Sequence, residues 1–292
     1  MEETRIIAYK GFDENLCCKG FQYEVGKEYE MDGEIKCCNR GFHACKSPLE
    51  VWGYYDMLSS RFAEVEQSGK IDREKDSTKV CSSRIKIKAE LKLSDIINIG
   101  VEWLKDITSP SNVKADGALN DNGDRKKQIG SSGDSAKIGS SGDSAKIGSS
   151  GDYAKIGSSG YYAQIGSSGD SAKIGSSGDY AKIGSSGDSA QIGSSGYSAQ
   201  IGSSGDYAKI GSSGDYAQTD STGVDSVIMC AGINSKAKAK IGSWITLAEW
   251  KWSNEKNRYV PVCVKTEYVD GENIKTDTWY QLENGKFVEV TE

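Results

Sequence analysis

Ile129-Gly130-Ser131-Ser132-Gly133-Asp134-Ser135-Ala136-Lys137 opens a run of ten consecutive nine-residue units that continues without a gap to Gln218. The unit varies at three places only. Serine alternates with tyrosine before the alanine, lysine with glutamine after it, and Asp becomes Tyr at Tyr161 and Tyr197. So short a unit cannot bury an apolar face alone, so it must stack on its own copies and turn each side chain into a row. The expected architecture is a β-solenoid. Alternation within Asp-Ser/Tyr-Ala-Lys/Gln-Ile puts Ala and Ile on one side of a strand, which leaves Gly-Ser-Ser-Gly to make the corner.

The two Asp-to-Tyr changes set the size of a coil. They lie four units apart, a spacing divisible by two but not by three, so a two-sided solenoid of 18 residues per coil places both in one row. That row reads Asp143, Tyr161, Asp179, Tyr197, Asp215, and the opposite row reads Asp134, Asp152, Asp170, Asp188, Asp206. Lys137, Lys155, Lys173 and Lys209 accompany the all-acid row and balance its charge, which argues against a mimic of DNA. Tyr153, Tyr162, Tyr180, Tyr207 and Tyr216 face outward with Tyr161 and Tyr197. These seven tyrosines are the candidate binding residues, since exposed aromatic rings are typical interface anchors. Stiffening of the sheet by stacked rings accounts for the same pattern. Calcium, which binds some nonapeptide β-rolls, is not expected. The unit lacks their double glycine, and Tyr161 and Tyr197 remove the carboxylate.

Residues 1–110 read as an α+β leading domain, 111–242 as the solenoid with degenerate end coils, and 243–292 as a small antiparallel β tail that caps it. The whole is mostly β. In the leading domain Arg5–Tyr9 and Arg84–Leu91 read as strands, the second turning Ile85, Ile87, Ala89 and Leu91 inward. Ser47-Pro48-Leu49-Glu50 carries helix-start signals for a helix to about Leu58, and Ser94-Asp95 for one whose Ile97, Val101 and Leu104 share a face. Thr108-Ser109-Pro110-Ser111-Asn112 marks a boundary, followed by a degenerate first coil to Gln128. In the tail, strands are expected over Trp244–Trp252, Tyr259–Val269, Ile274–Leu282 and Phe287–Val290, with Asp270-Gly271 and Asn284-Gly285 as hairpin turns.

The 292 residues carry a formal net charge of -6. With no basic stripe, nucleic acid is not an expected partner. Met1-Glu2-Glu3-Thr4-Arg5 does not open a secretory signal, and no apolar run is long enough to span a membrane, so a cytoplasmic protein is expected. Six of eight cysteines precede residue 110 and read as thiols. Zinc through Cys38, His43 and Cys45 is the one metal set the spacing offers, but adjacent cysteines and the lack of Cys-x-x-Cys favour buried thiols and no cofactor.

Two resemblances bear on function. Tyr9-Lys10-Gly11, Gly41-Phe42-His43-Ala44 and Phe62-Ala63-Glu64-Val65-Glu66 follow one another in an order similar to that of ADP-ribosyltransferase-like domains. That resemblance implies catalytic roles for Lys10, His43 and either Glu64 or Glu66, with Lys10 standing where histidine or arginine is usual. Tyr9-Lys10-Gly11-Phe12, Gly41-Phe42-His43-Ala44-Cys45, Val80-Cys81, the repeats, Thr276-Asp277-Thr278-Trp279-Tyr280 and Gly285–Val290 together resemble an uncharacterised family encoded by phages and prophages of gut bacteria. It implies phage biology and supplies no mechanism. The expected function is a non-catalytic binding protein whose solenoid engages a host or phage macromolecule, most simply a protein, as in inhibition of a host defence system. An ADP-ribosyltransferase-like enzyme and a virion spacer are the alternatives.

Overall fold

A computed structural model describes residues 5–74, 77–108 and 128–291. Two compact units divide the chain, Met1–Trp103 and Leu104–Glu292. The expected boundary at 109–112 and the degenerate first coil up to residue 127 lie outside the described residues.

In the first unit a sheet is built from β1 (Ile6–Phe12), β4 (Glu28–Glu30), β5 (Phe42–Cys45), β6 (Arg61–Arg73) and β7 (Lys79–Leu91), while β2 (Cys17–Cys18) and β3 (Phe21–Gln22) form a separate small hairpin. The order is β4-β7-β5-β1-β6, and β6 also pairs with β7, so β1, β6, β7 and β5 close on themselves. Closure removes the sheet edges of those strands. Ile6, Ala8, Phe12, Ala63, Val65, Ile85 and Ile87 fill the interior. Inward alternation along β7 stops after Ile87, since Ala89 is exposed and Leu91 half-buried. A register shift between Glu64 and Val65 in the facing strand breaks the expected pattern there.

The helix expected from Ser47 shrinks to one 3-10 turn, Leu49–Gly53. The capping glutamate is diverted: Thr78 Oγ1 donates to Glu50 Oε2 at 2.7 Å and Ser77 Oγ to Oε1 at 2.9 Å. Leu49, Val51 and Trp52 are buried, so packing rather than helix capping sets the local path. The second helix forms as expected, α1 (Leu93–Thr108), and buries Ile97, Val101 and Leu104.

The trunk is the expected two-sided β-solenoid. Strands pair in parallel with the equivalent residues 18 positions on, as in Lys155↔Lys173 and Ile156↔Ile174. Successive units fall alternately on a nine-stranded and an eight-stranded sheet. The strand boundaries differ from the sequence reading. Each strand is Lys/Gln-Ile-Gly-Ser, as in Lys173–Ser176, and the turn lies at Gly-Asp-Ser/Tyr. Ile and the strand serine point inward beside the alanine, so Ile174, Ser176 and Ala172 are all buried.

The turn is held by two features. Its glycine must approach the coil beneath, since a methyl group at Gly178 would overlap the Gly160 carbonyl oxygen. The Ser or Tyr after the aspartate adopts a left-handed backbone, with φ of 55° at Ser171 and 56° at Tyr180. Such angles are unusual for these residue types, and stacking of identical turns imposes them.

The tail is two hairpins rather than one meander. Trp244–Ser253 first continues the eight-stranded sheet in parallel with Val227–Cys230, then pairs antiparallel with Arg258–Tyr268. Tyr280–Glu283 and Lys286–Glu289 close the nine-stranded sheet through the Asn284-Gly285 turn. Asp270-Gly271 belongs to the passage between the two sheets, and residues 274–279 form no strand. The tail thereby ends each sheet separately, with Pro261 in the outermost strand of one, a residue that cannot donate to a further strand. No helix among the described residues is long and apolar enough to cross a membrane.

Candidate functional site

Both aspartate rows stand at the trunk's edges, in the turns between the sheets, rather than on the sheet faces. On the first edge, Oδ1 of Asp134, Asp152, Asp170, Asp188 and Asp206 each accepts the backbone N–H of the residue 18 positions on, at 2.8–3.2 Å. The aspartates are therefore rungs of a ladder, and backbone amides answer their charge directly. Lys137, Lys155, Lys173 and Lys209 lie on the outward side of the neighbouring eight-stranded sheet, next to a lane of glycines that includes Gly157 and Gly175.

On the second edge the ladder is interrupted. Asp143, Asp179 and Asp215 accept the amides of Tyr161, Tyr197 and Ile233 at 2.8–3.3 Å, but Tyr161 and Tyr197 carry no carboxylate to repeat the bond. Rings gather there instead. Tyr162 and Tyr180 stack with centroids 5.1 Å apart and planes 13° from parallel. Tyr197 continues the row, 5.7 Å from Tyr180 and 5.2 Å from Tyr216. All four, with Tyr161, are at least 40 % exposed. Tyr153 and Tyr207 stand on the first edge, three coils apart, so five of the seven candidate tyrosines come together and two do not.

In the leading unit a cleft of about 680 Å³ is lined by rings including Phe21, Tyr23, Tyr29, Phe42 and Tyr55. Lys10 is part of its lining although only 5 % exposed. It sits on the inward face of β1 between Ala8 and Phe12, and its Nζ donates to the His43 carbonyl at 3.1 Å and to Cys18 Sγ at 3.5 Å. Cys18 Sγ is also 3.0 Å from the Tyr55 hydroxyl. Burial above all lowers the Lys10 pKa and raises that of Tyr55. The expected strand Arg5–Tyr9 stops short of Lys10, so the Ile6, Ala8, Lys10, Phe12 alternation that places it inward goes unread. Nothing in the spacing of Cys18 and Tyr55 announced that they meet in this cleft.

Of the four residues implied by the ADP-ribosyltransferase resemblance, Lys10 and His43 come together. Glu64 and Glu66 do not join them. Lys10 is registered with Ala63, whereas Glu64 and Glu66 pair with Tyr9 and Ile7 on the other face. Cross-strand partners share a face, so the strand separates the acids from Lys10. Each acid has its own cation: Glu64 binds Lys88 at 2.8 Å and Glu66 binds Arg5 at 3.3 Å.

The cysteines also group differently from Cys38, His43 and Cys45, the metal set that the spacing offered and the sequence reading set aside for buried thiols. Ligand atoms of Cys37, His43 and Cys81 lie within 4.8 Å of one another. Their bonding is internal to the protein: the Cys37 thiol donates to the Asp72 carbonyl at 3.4 Å and Cys81 to the Arg40 carbonyl at 3.2 Å. His43 Nε2 accepts the Cys38 N–H at 3.0 Å, and burial, then Lys79, lower the imidazole's pKa. Burial pushes the Cys37 and Cys81 thiols up and the imidazole down, and the three ligand atoms are close enough together to hold one metal ion.

No curated protein and no solved structure matches the chain. Residues 6–99, covering β1 to the first turns of α1 but none of the repeats, match a family described as a domain of unknown function (DUF7666), and the leading unit is similar to that uncharacterised family.

Proposed function

We propose that this chain is a binding protein whose trunk engages a protein partner along the tyrosine-bearing edge. The carrying observation is the continuous row Tyr162, Tyr180, Tyr197 and Tyr216, exposed and in ring contact on one edge of a rigid solenoid. Tyrosine offers a large contact area with few rotatable bonds, so little conformational freedom is lost on binding. The stacked turns fix the ring spacing before any partner arrives, which lowers the cost of association further. At a rise of about 4.8 Å per coil, the row spans roughly 14 Å.

The resemblance to phage and prophage proteins supports a phage-encoded role in the host cytosol. There the partner is a host or phage protein, and interference with a host defence system is the specific form of the proposal. The test uses affinity capture with full-length protein and compares the two edges. Changing Tyr162, Tyr180 and Tyr197 to Ser is expected to abolish recovery of a specific partner, while changing Tyr153 and Tyr207 to Ser leaves it intact. Equal recovery by both variants would sink the proposal.

A further inference from the structure

The leading unit buries a lysine, Lys10, that no described carboxylate pairs with. Lysine is rarely buried to this extent unless it is paired. Lys10 lies over the rings of Phe12 and Tyr23, 5.3 and 5.6 Å from their centroids, and its polar contacts are a carbonyl and a thiol. Among the described residues no carboxylate forms an ion pair with it. The acid in the cleft's lining, Glu30, is engaged at 2.8 Å by Arg84. Lys19 adds a further cation to the lining, and Lys79, also in the lining, is paired with Glu74 at 3.8 Å. The cleft is thus positively charged, walled by rings, and of the size that takes one small molecule.

Packing supplies part of an explanation, since ring faces attract a cation. They do not replace the hydration that an ammonium group loses on burial. An anion delivered from solution does, and it would also use the cleft, which ring contacts alone leave without a purpose. Tyr55 is held for such a role by Gly11, where an added methyl would overlap the Tyr55 ring.

We propose that this cleft binds a small planar anion, with an aromatic body against the tyrosine and phenylalanine rings and a carboxylate or phosphate against Lys10. The inference is independent of the trunk, and the tyrosine variants of the second edge are expected to leave it unchanged.

The test is calorimetric titration of the full chain with charged and neutral pairs. Benzoate and indole-3-carboxylate are set against their amides, and nucleoside 5′-monophosphates against nucleosides. One anion class is expected to bind about tenfold or more tightly than its neutral partner, and the two arms tell carboxylate from phosphate. Lys10→Met keeps the apolar stem and removes the charge. It is expected to weaken the anion by about ten- to a hundredfold, as for loss of a hydrogen bond to a charged group, and to erase the preference. Its melting temperature is expected to rise, which shows that the fold survives. Gly11→Ala keeps Lys10 but displaces Tyr55, and is expected to lose binding with an unchanged circular-dichroism spectrum. Equal binding within every pair, no binding by any member, or an anion preference that persists in Lys10→Met would overturn the proposal.

Discussion

The trunk's two edges share one backbone turn and differ at every second aspartate. On the first edge five carboxylates each hold the coil above, while on the second only three do so, with Tyr161 and Tyr197 in the other places. The turn closes with either residue, and at Tyr197 ring contacts to Tyr180 and Tyr216 stand in for the missing rung. Two rungs of the kind seen on the first edge are absent from the edge that gathers the rings. On the proposed reading, exposed aromatic area on this edge serves a partner in place of those contacts.

The sharpest break of this comparison comes from the turn both edges share. Gly178→Ala forces a methyl group into the Gly160 carbonyl and is expected to cost about 3 kcal/mol or more in denaturant unfolding. Gly175→Ala, at a strand glycine with no atom within 4 Å of the added methyl, is expected to be close to neutral. Next in size, Asp170→Ala removes a rung from the middle of the intact ladder and is expected to lower stability by about 1 kcal/mol. Its mirror is Tyr161→Asp, which restores a rung and is expected to raise stability by a similar amount while weakening partner capture. Tyr197→Asp gains the same rung but loses ring contacts to Tyr180 and Tyr216, so its net change is expected to lie near zero. A loss of stability in Tyr161→Asp would show that the tyrosines serve the fold after all. The smallest effect is expected from Ser171→Asn on the first edge or Ser198→Asn on the second, a gain of about a few tenths of a kcal/mol each, because asparagine tolerates the left-handed backbone better. Asn234 already occupies an equivalent turn, with φ of 52°.

The coil length was legible because two tyrosines broke an otherwise uniform row, and their four-unit spacing favoured two units per coil over three. The strand limits were not. Gly-Ser-Ser-Gly has the composition of a turn, yet its first glycine lies within a strand, as Gly175 does, and the left-handed residue is Ser or Tyr. Local preference points elsewhere, and only the stack of coils enforces this geometry. The same competition shortened the helix after Ser47, where Glu50 serves Ser77 and Thr78 across the unit instead of its own helix start. Of the leading unit's cleft, Lys10 and His43 were brought together only through a resemblance, and the expected Arg5–Tyr9 strand stopped one residue short of Lys10. Its partners were not legible, because Cys18 and Tyr55 reach it through the fold rather than through sequence spacing.

Near-identical units also constrain how the chain can change over evolutionary time. Tandem copies invite gain or loss by recombination, and the strand register fixes which outcomes survive. Losing 18 residues removes one coil and leaves every later row where it was. Losing nine would exchange the edges for everything downstream and deliver Trp244–Ser253 to the wrong sheet. Viable trunks should therefore differ in length by whole coils, a quantum of 18 residues, with the aromatic edge lengthening or shortening in step.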